Sequence, residues 1–152
     1  ATFHLDSLSK IRLLASKGGA LSIEVRPLNE TSDWRVAVVP LPVEPADFRL
    51  RHKTSDRAFY DEARRARLDC DEVLFVTPDG KLTEGSFTAL FVERDGKLHT
   101  PRLETGVLPS VLRRELVEAG DAVEADLFAD DLDSAFYVGN SLRGLIPATR
   151  VA

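Results

Sequence analysis

Short apolar runs broken by polar clusters fill the first third of the chain and predict strands. Ile11 to Ala15, Leu21 to Arg26 and Arg35 to Val39 are such runs, split by Gly18-Gly19 and by the polar cluster Asn29 to Asp33. Pro40, Pro42 and Pro45 predict an extended linker, because proline pushes its predecessor out of helical geometry. A helix follows, roughly Asp56 to Leu68, with Asp56 as its N-cap. Val73 to Thr77 reads as a strand and Pro78-Asp79-Gly80 as a turn. Phe87 to Glu93 and Lys97 to Thr100 predict a hairpin across Arg94-Asp95-Gly96. A second helix is expected over Val111 to Ala119, capped by Ser110 and stopped by Gly120. Then come a strand at Ala122 to Ala125, a short helix at Asp130 to Ser134, and a last strand at Ala135 to Val138 that runs into Gly139-Asn140-Ser141. The sum is a mixed α/β chain of the α+β kind. Helices are too few for the regular alternation of a doubly wound sheet.

Composition narrows the class. The 152 residues suffice for one core, or one domain plus the remnant of another. A net charge of -5 argues against a nucleic-acid scaffold, which would show a basic face. No run approaches the ~20 apolar residues that cross a bilayer, and no basic start leads into an apolar stretch as in a signal peptide. The expectation is therefore no membrane and no nucleic-acid partner. Cys70 is the only cysteine, which makes the reducing cytoplasm the default compartment. Methionine is absent even from position 1, so a trimmed, processed or incompletely observed product of something longer is expected.

Four features carry possible chemistry. Lys53, in His52-Lys53-Thr54, stands just before the first predicted helix. A lysine with a depressed pKa is a nucleophile that a carbonyl cofactor traps as a Schiff base, although a lone lysine is ordinarily a solvated surface group. Glu84, in Thr83-Glu84-Gly85-Ser86 at a turn into a strand, is a carboxylate able to hold a pyridinium proton, or simply a turn residue. Gly106 to Arg113 opens a helix, and helix N-termini offer free N–H groups and a positive dipole end to phosphate. Gly139 to Gly144 follows a strand end with small and polar residues that supply further donors, or form a tight surface turn. No group of side chains suggests a metal site.

Taken in order, these segments resemble the fold type IV enzymes of pyridoxal 5'-phosphate (PLP): branched-chain and D-amino acid aminotransferases and aminodeoxychorismate lyase. The resemblance rests on His52 to Arg57; on Asp71 to Phe75 with Gly80 and Leu82 to Ser86; on Leu90-Phe91-Val92; on Thr100 to Leu103; on Gly106 to Pro109 with Arg113; and on Asn140 to Pro147. It implies that Lys53 holds the cofactor and moves protons, and that Glu84 sits against the pyridine nitrogen so that the ring acts as an electron sink. It implies further that the N–H groups of Val111 and Leu112, with Ser141 and the Leu142 N–H, cradle the phosphate. Arg57, Tyr60, Asn140 and Arg143 are the substrate-side candidates, while Arg113 is expected to be structural.

Within the family, the aminotransferases usually carry Tyr five positions after the lysine, where this chain has Ala58. Arg57 and Thr100-Pro101-Arg102-Leu103 resemble the lyase pattern, closest to the lyase segment of fused para-aminobenzoate synthases. The implied reaction converts 4-amino-4-deoxychorismate to 4-aminobenzoate and pyruvate. The alternatives are an aminotransferase of the same fold, or an inactive member serving as an interaction or dimerisation module. A homodimer, and association or fusion with an aminodeoxychorismate synthase, are also implied. Two departures stand out. Ala89 occupies a strand position where the family usually has Asn. The small N-terminal domain looks truncated or partly missing: Ala1 to Asp6 resembles the lead into its phosphate-binding stretch, and the chain then passes directly to its last strands. On this reading residues 1–45 are the remnant of that domain with its linker, and 46–152 form the large PLP-binding domain.

Overall fold

A computed structural model describes residues 6–29 and 32–152. The resemblance at Ala1 to Leu5 lies outside them. The chain divides into two compact units, Ala1–Thr31 and Ser32–Ala152.

In the first unit, β1 (Ser9–Ala15) pairs antiparallel with β2 (Leu21–Pro27), in a register that places Ile11 opposite Val25 and Leu13 opposite Ile23. Strand periodicity of two collects these four on one face, and all four are exposed. Arg12 and Glu24 pair on the other face at 3.6 Å.

The second unit is built on an eight-stranded mixed sheet in the order β5-β4-β3-β10-β9-β6-β7-β8. Its strands are β3 (Trp34–Pro40), β4 (Glu72–Val76), β5 (Leu82–Gly85), β6 (Ala89–Arg94), β7 (Lys97–Pro101), β8 (Ala122–Ala125), β9 (Phe136–Asn140) and β10 (Gly144–Val151). Helix α1 (Ala58–Arg65) connects the parallel pair β3 and β4, and α2 (Val111–Ala119) connects the parallel pair β7 and β8. Parallel neighbours need such crossovers, which explains why a mainly β chain places these two α-helices at these points. Because β3 lies between β4 and β10, a division after residue 45 would cut a strand out of the sheet.

Alternation along the strands separates the cores. Val36, Leu74, Leu90, Val138 and Ile146 share one buried cluster, while Ala37, Val73 and Phe75 point the other way, toward Leu50 and Tyr60. Phe91 and Ala122 pack with Leu112, Leu116 and Val117 of α2. Phe75 and Phe91 are fully buried, each worth about 1.5–3 kcal/mol of apolar transfer.

Three expectations need correction. Helix α1 begins at Ala58, with Arg57 as its N-cap, and ends at Arg65. Asp56 is drawn away to Arg49, at 3.3 Å. Leu82–Gly85 is a strand rather than a turn, paired with β4. Gly144–Val151, beyond the last strand expected from sequence, is the longest strand of the sheet.

Candidate active site

A cavity of about 390 Å³ opens between β5, the segment before α1, the start of α2 and the end of β9. Lys53 and Glu84 both line it. Lys53 follows a 3-10 turn at Phe48–Leu50; it is exposed, and makes no hydrogen bond or ion pair among the described residues.

Glu84 is only 8% exposed and both its oxygens are engaged. The Tyr60 hydroxyl donates to Oε1 at 2.7 Å, and the Leu108 N–H donates to Oε2 at 3.0 Å. Burial penalises the charged carboxylate and pushes its pKa up to about 7, against these two hydrogen bonds and the nearby Arg57, which pull it down. Burial, followed by the Glu84 charge, likewise pushes the Tyr60 phenol up. Tyr60 is thus a protonated donor at neutral pH.

The start of α2 forms another wall. Val111 and Ser110 line the cavity. Ser110 occupies the N-cap position, yet its side chain caps nothing; Oγ is buried without a partner among the described residues. A buried hydroxyl beside the free N–H groups of a helix start suits an anion. Gly139 forms the adjoining wall and lies close against its neighbours. A Cβ there would lie 2.4 Å from the Gly144 carbonyl oxygen and 3.0 Å from Leu112 Cδ2.

The remaining candidates divide. Arg57, Tyr60, Asn140 and Ser141 line the cavity. The Arg57 guanidinium donates to the Ser86 carbonyl oxygen and lies over the Tyr60 ring. Leu112 packs beneath Gly139 in the α2 core rather than at the cavity surface. Leu142 and Arg143 are not brought to the cavity. The Leu142 N–H, expected to face phosphate, donates instead to Asn140 Oδ1 at 3.1 Å, and the Arg143 N–H donates to the same oxygen at 3.2 Å. The Arg143 side chain lies over the Trp34 ring. Arg113 is buried and bonds the Pro101 carbonyl at 2.9 Å and the Glu124 carboxylate, a structural tie between α2, β7 and β8. Ala89 is buried and forms part of the wall.

One group was assigned no role from sequence. Glu72 is fully buried at the start of β4 and accepts from Ser86, Phe87 and Thr88. Its place at the head of the apolar run Val73-Leu74-Phe75-Val76 is the only sequence signal that it is enclosed.

The family model for amino-transferase class IV matches residues 4–151. The chain belongs to that family. Class IV members are PLP-dependent enzymes, so the family assignment makes the cavity a cofactor site to be tested. A crystal structure of a Mesorhizobium loti protein named as an amino-acid aminotransferase is 40% identical; its match has a TM-score of 0.83 and covers 94% of this chain and 73% of that one. A Thermotoga maritima protein named as a branched-chain-amino-acid aminotransferase is 28% identical over 59% of this chain and 35% of its own length. The aminodeoxychorismate lyase of Bacillus subtilis is 31% identical over 53% of this chain and 30% of its own length. The chain spans about a third of each of these two curated relatives. Class IV relatives of both names, lyase and aminotransferase, therefore match.

Proposed function

We propose that the cavity holds PLP and that the protein is a 4-amino-4-deoxychorismate lyase. The observation that carries this reading is that Lys53, the buried acid Glu84 and the orphaned Ser110 hydroxyl at the start of α2 surround one cavity. The residues fit the cofactor: Lys53 Nζ for its aldehyde, Glu84 for its ring nitrogen, and Ser110, Val111 and Ser141 for its phosphate. Bound there, PLP supplies an electron sink for the carbanion left by proton removal.

The chain's own groups do the rest. Lys53 would hold the cofactor through Nζ and, once the substrate amine displaces it, would be free to act as the base. Lys53 Nζ then removes the proton from the ring carbon that bears that amine. The C–O bond to the enolpyruvyl group at the neighbouring ring carbon would then break, leaving an aromatic ring, and the proton held on Lys53 would pass to the departing enolate to give pyruvate. Glu84 would face the pyridine nitrogen and hold its proton, and Tyr60, donating to Oε1, keeps the carboxylate oriented. Arg57 and Asn140 contact the substrate, and the cation at Arg57 suits a carboxylate.

Arg57 in the cavity wall and Ala58 on the helix outside it favour the lyase. The 40% identity to a protein named as an amino-acid aminotransferase favours the second reading, amino transfer to a 2-oxo acid. Pyruvate release from aminodeoxychorismate establishes the first; amino transfer to 2-oxoglutarate without pyruvate release establishes the second. Borohydride reduction in the presence of PLP is expected to fix a pyridoxyl group on the Lys53 peptide, and Lys53→Ala to abolish both the label and turnover. An unlabelled wild-type peptide refutes either reading.

A further inference from the structure

The segment Ser86-Phe87-Thr88 between β5 and β6 has a two-sided arrangement. On its inner side four donors go to one carboxylate. The Ser86 N–H and Oγ–H reach Glu72 Oε1 at 3.0 and 2.6 Å, and the Phe87 N–H and Thr88 Oγ1–H reach Oε2 at 3.3 and 3.0 Å. The Val73 N–H adds a fifth donor to Oε1 at 2.9 Å. On its outer side the carbonyls are used by cavity side chains. Ser86 O accepts from the Arg57 guanidinium, and Phe87 O accepts from Asn140 Nδ2 at 3.4 Å.

Gly85 permits this packing. A Cβ there would stand 2.3 Å from Thr88 Oγ1 and 3.0 Å from Glu72 Oε2. A fully buried glutamate is costly unless compensated, and five donors are the compensation. The 86–87 peptide group links Glu72 to Arg57 directly, its Phe87 N–H donating to the carboxylate and its Ser86 carbonyl accepting from the guanidinium, while the Phe87 carbonyl that holds Asn140 lies between two residues that both donate to Glu72.

We propose that Glu72 is a positioning residue: by fixing the Phe87 N–H it aims the Ser86 carbonyl of the same peptide group at Arg57, and by gripping the Thr88 hydroxyl it holds the segment whose Phe87 carbonyl takes Asn140, so both side chains are kept at the cavity. This rests on the reading above only in giving those two side chains a substrate to contact. Glu72 itself touches neither cofactor nor substrate. Glu72→Gln preserves volume but leaves one acceptor oxygen where two N–H groups need separate ones, so one of the two peptide groups is released.

The test uses the full-length protein labelled with ¹⁵N-arginine. In Glu72→Gln, the Arg57 guanidinium signal is expected to move and its proton exchange to quicken about tenfold. KM is expected to rise about five- to tenfold with kcat within about twofold, and on an Arg57→Ala background the same change is expected to add less than about twofold. Thr88→Val and Ser86→Ala each remove one hydroxyl donor and are expected to give smaller changes in the same direction, while Thr88→Ser stays as wild type. If Glu72→Gln does not fold, those two variants decide. An Arg57 signal unmoved in every folded variant, or KM costs that multiply independently, overturns the proposal. Failure of the cofactor reading is seen separately: Lys53 stays unlabelled by borohydride while the Arg57 signal still responds to Glu72.

Discussion

Glu84 makes a titration visible in the stability of the molecule. Its carboxyl is pushed from 4.5 up to about 7 by burial. A group whose folded-state value exceeds its unfolded one binds a proton on folding in the interval between them. Its contribution is fully present below about 4.5 and is lost as pH rises through about 7. The loss is on the order of 3 kcal/mol for a shift of this size. In the cofactor-free protein, melting temperature is therefore expected to fall across that window, and Glu84→Gln is expected to flatten the fall. Tyr60→Phe removes a hydrogen bond that pulls the Glu84 value down, so the descent should shift to higher pH, at a cost of about 1 kcal/mol. Melting curves of the three proteins at several pH values check the order. That Lys53 and Glu84 share one cavity was legible from sequence because short motifs surround them. The Tyr60 contact with Glu84 was not, since it joins groups 24 residues apart through the tertiary fold.

At the scale of elements, the start of α2 separates stability from binding. A serine N-cap usually contributes about 1 kcal/mol through its side chain. Ser110 makes no such bond, so Ser110→Ala is expected to leave the melting temperature nearly unchanged while weakening PLP binding several-fold in a spectroscopic titration. Gly139→Ala is the converse case. Its methyl group meets backbone at Gly144, which should destabilise the junction of β9 and β10 by about 1–3 kcal/mol in urea denaturation. The same elements show where local sequence signals stop. Helix α2 and its glycine stop, the β6–β7 hairpin and β8 follow from patterns within a few residues. Strand β10 does not: Pro147 and Arg150 interrupt its apolar run, and only pairing with β3 and β9 makes it a strand. The onset of α1 moved for a similar reason, because Asp56 pairs with Arg49 rather than capping the helix.

For the molecule as a whole, the unit Ser32–Ala152 holds all three buried clusters and the cavity. A chain beginning at Ser32 is accordingly expected to keep cooperative thermal unfolding, monitored by circular dichroism. The isolated hairpin of β1 and β2, with two strands, is expected to stay unfolded. Mixed α+β architecture was readable from the run of elements; the strand order was not, because neighbours in this sheet come from distant parts of the chain.

That order bears on how the protein is made. Among the described residues, strands β5-β4-β3 and β9-β6-β7-β8 form two groups whose ladders meet only through β10, aside from a bridge at Lys81 and Phe128 and the Leu82-to-Leu127 bond beside it. On the ribosome, both groups can assemble before Gly144–Val151 emerges, each with a bare edge where that strand belongs. A nascent chain stalled short of those eight residues would present two sticky edges to its neighbours, so translation has to run through this segment before the sheet is whole.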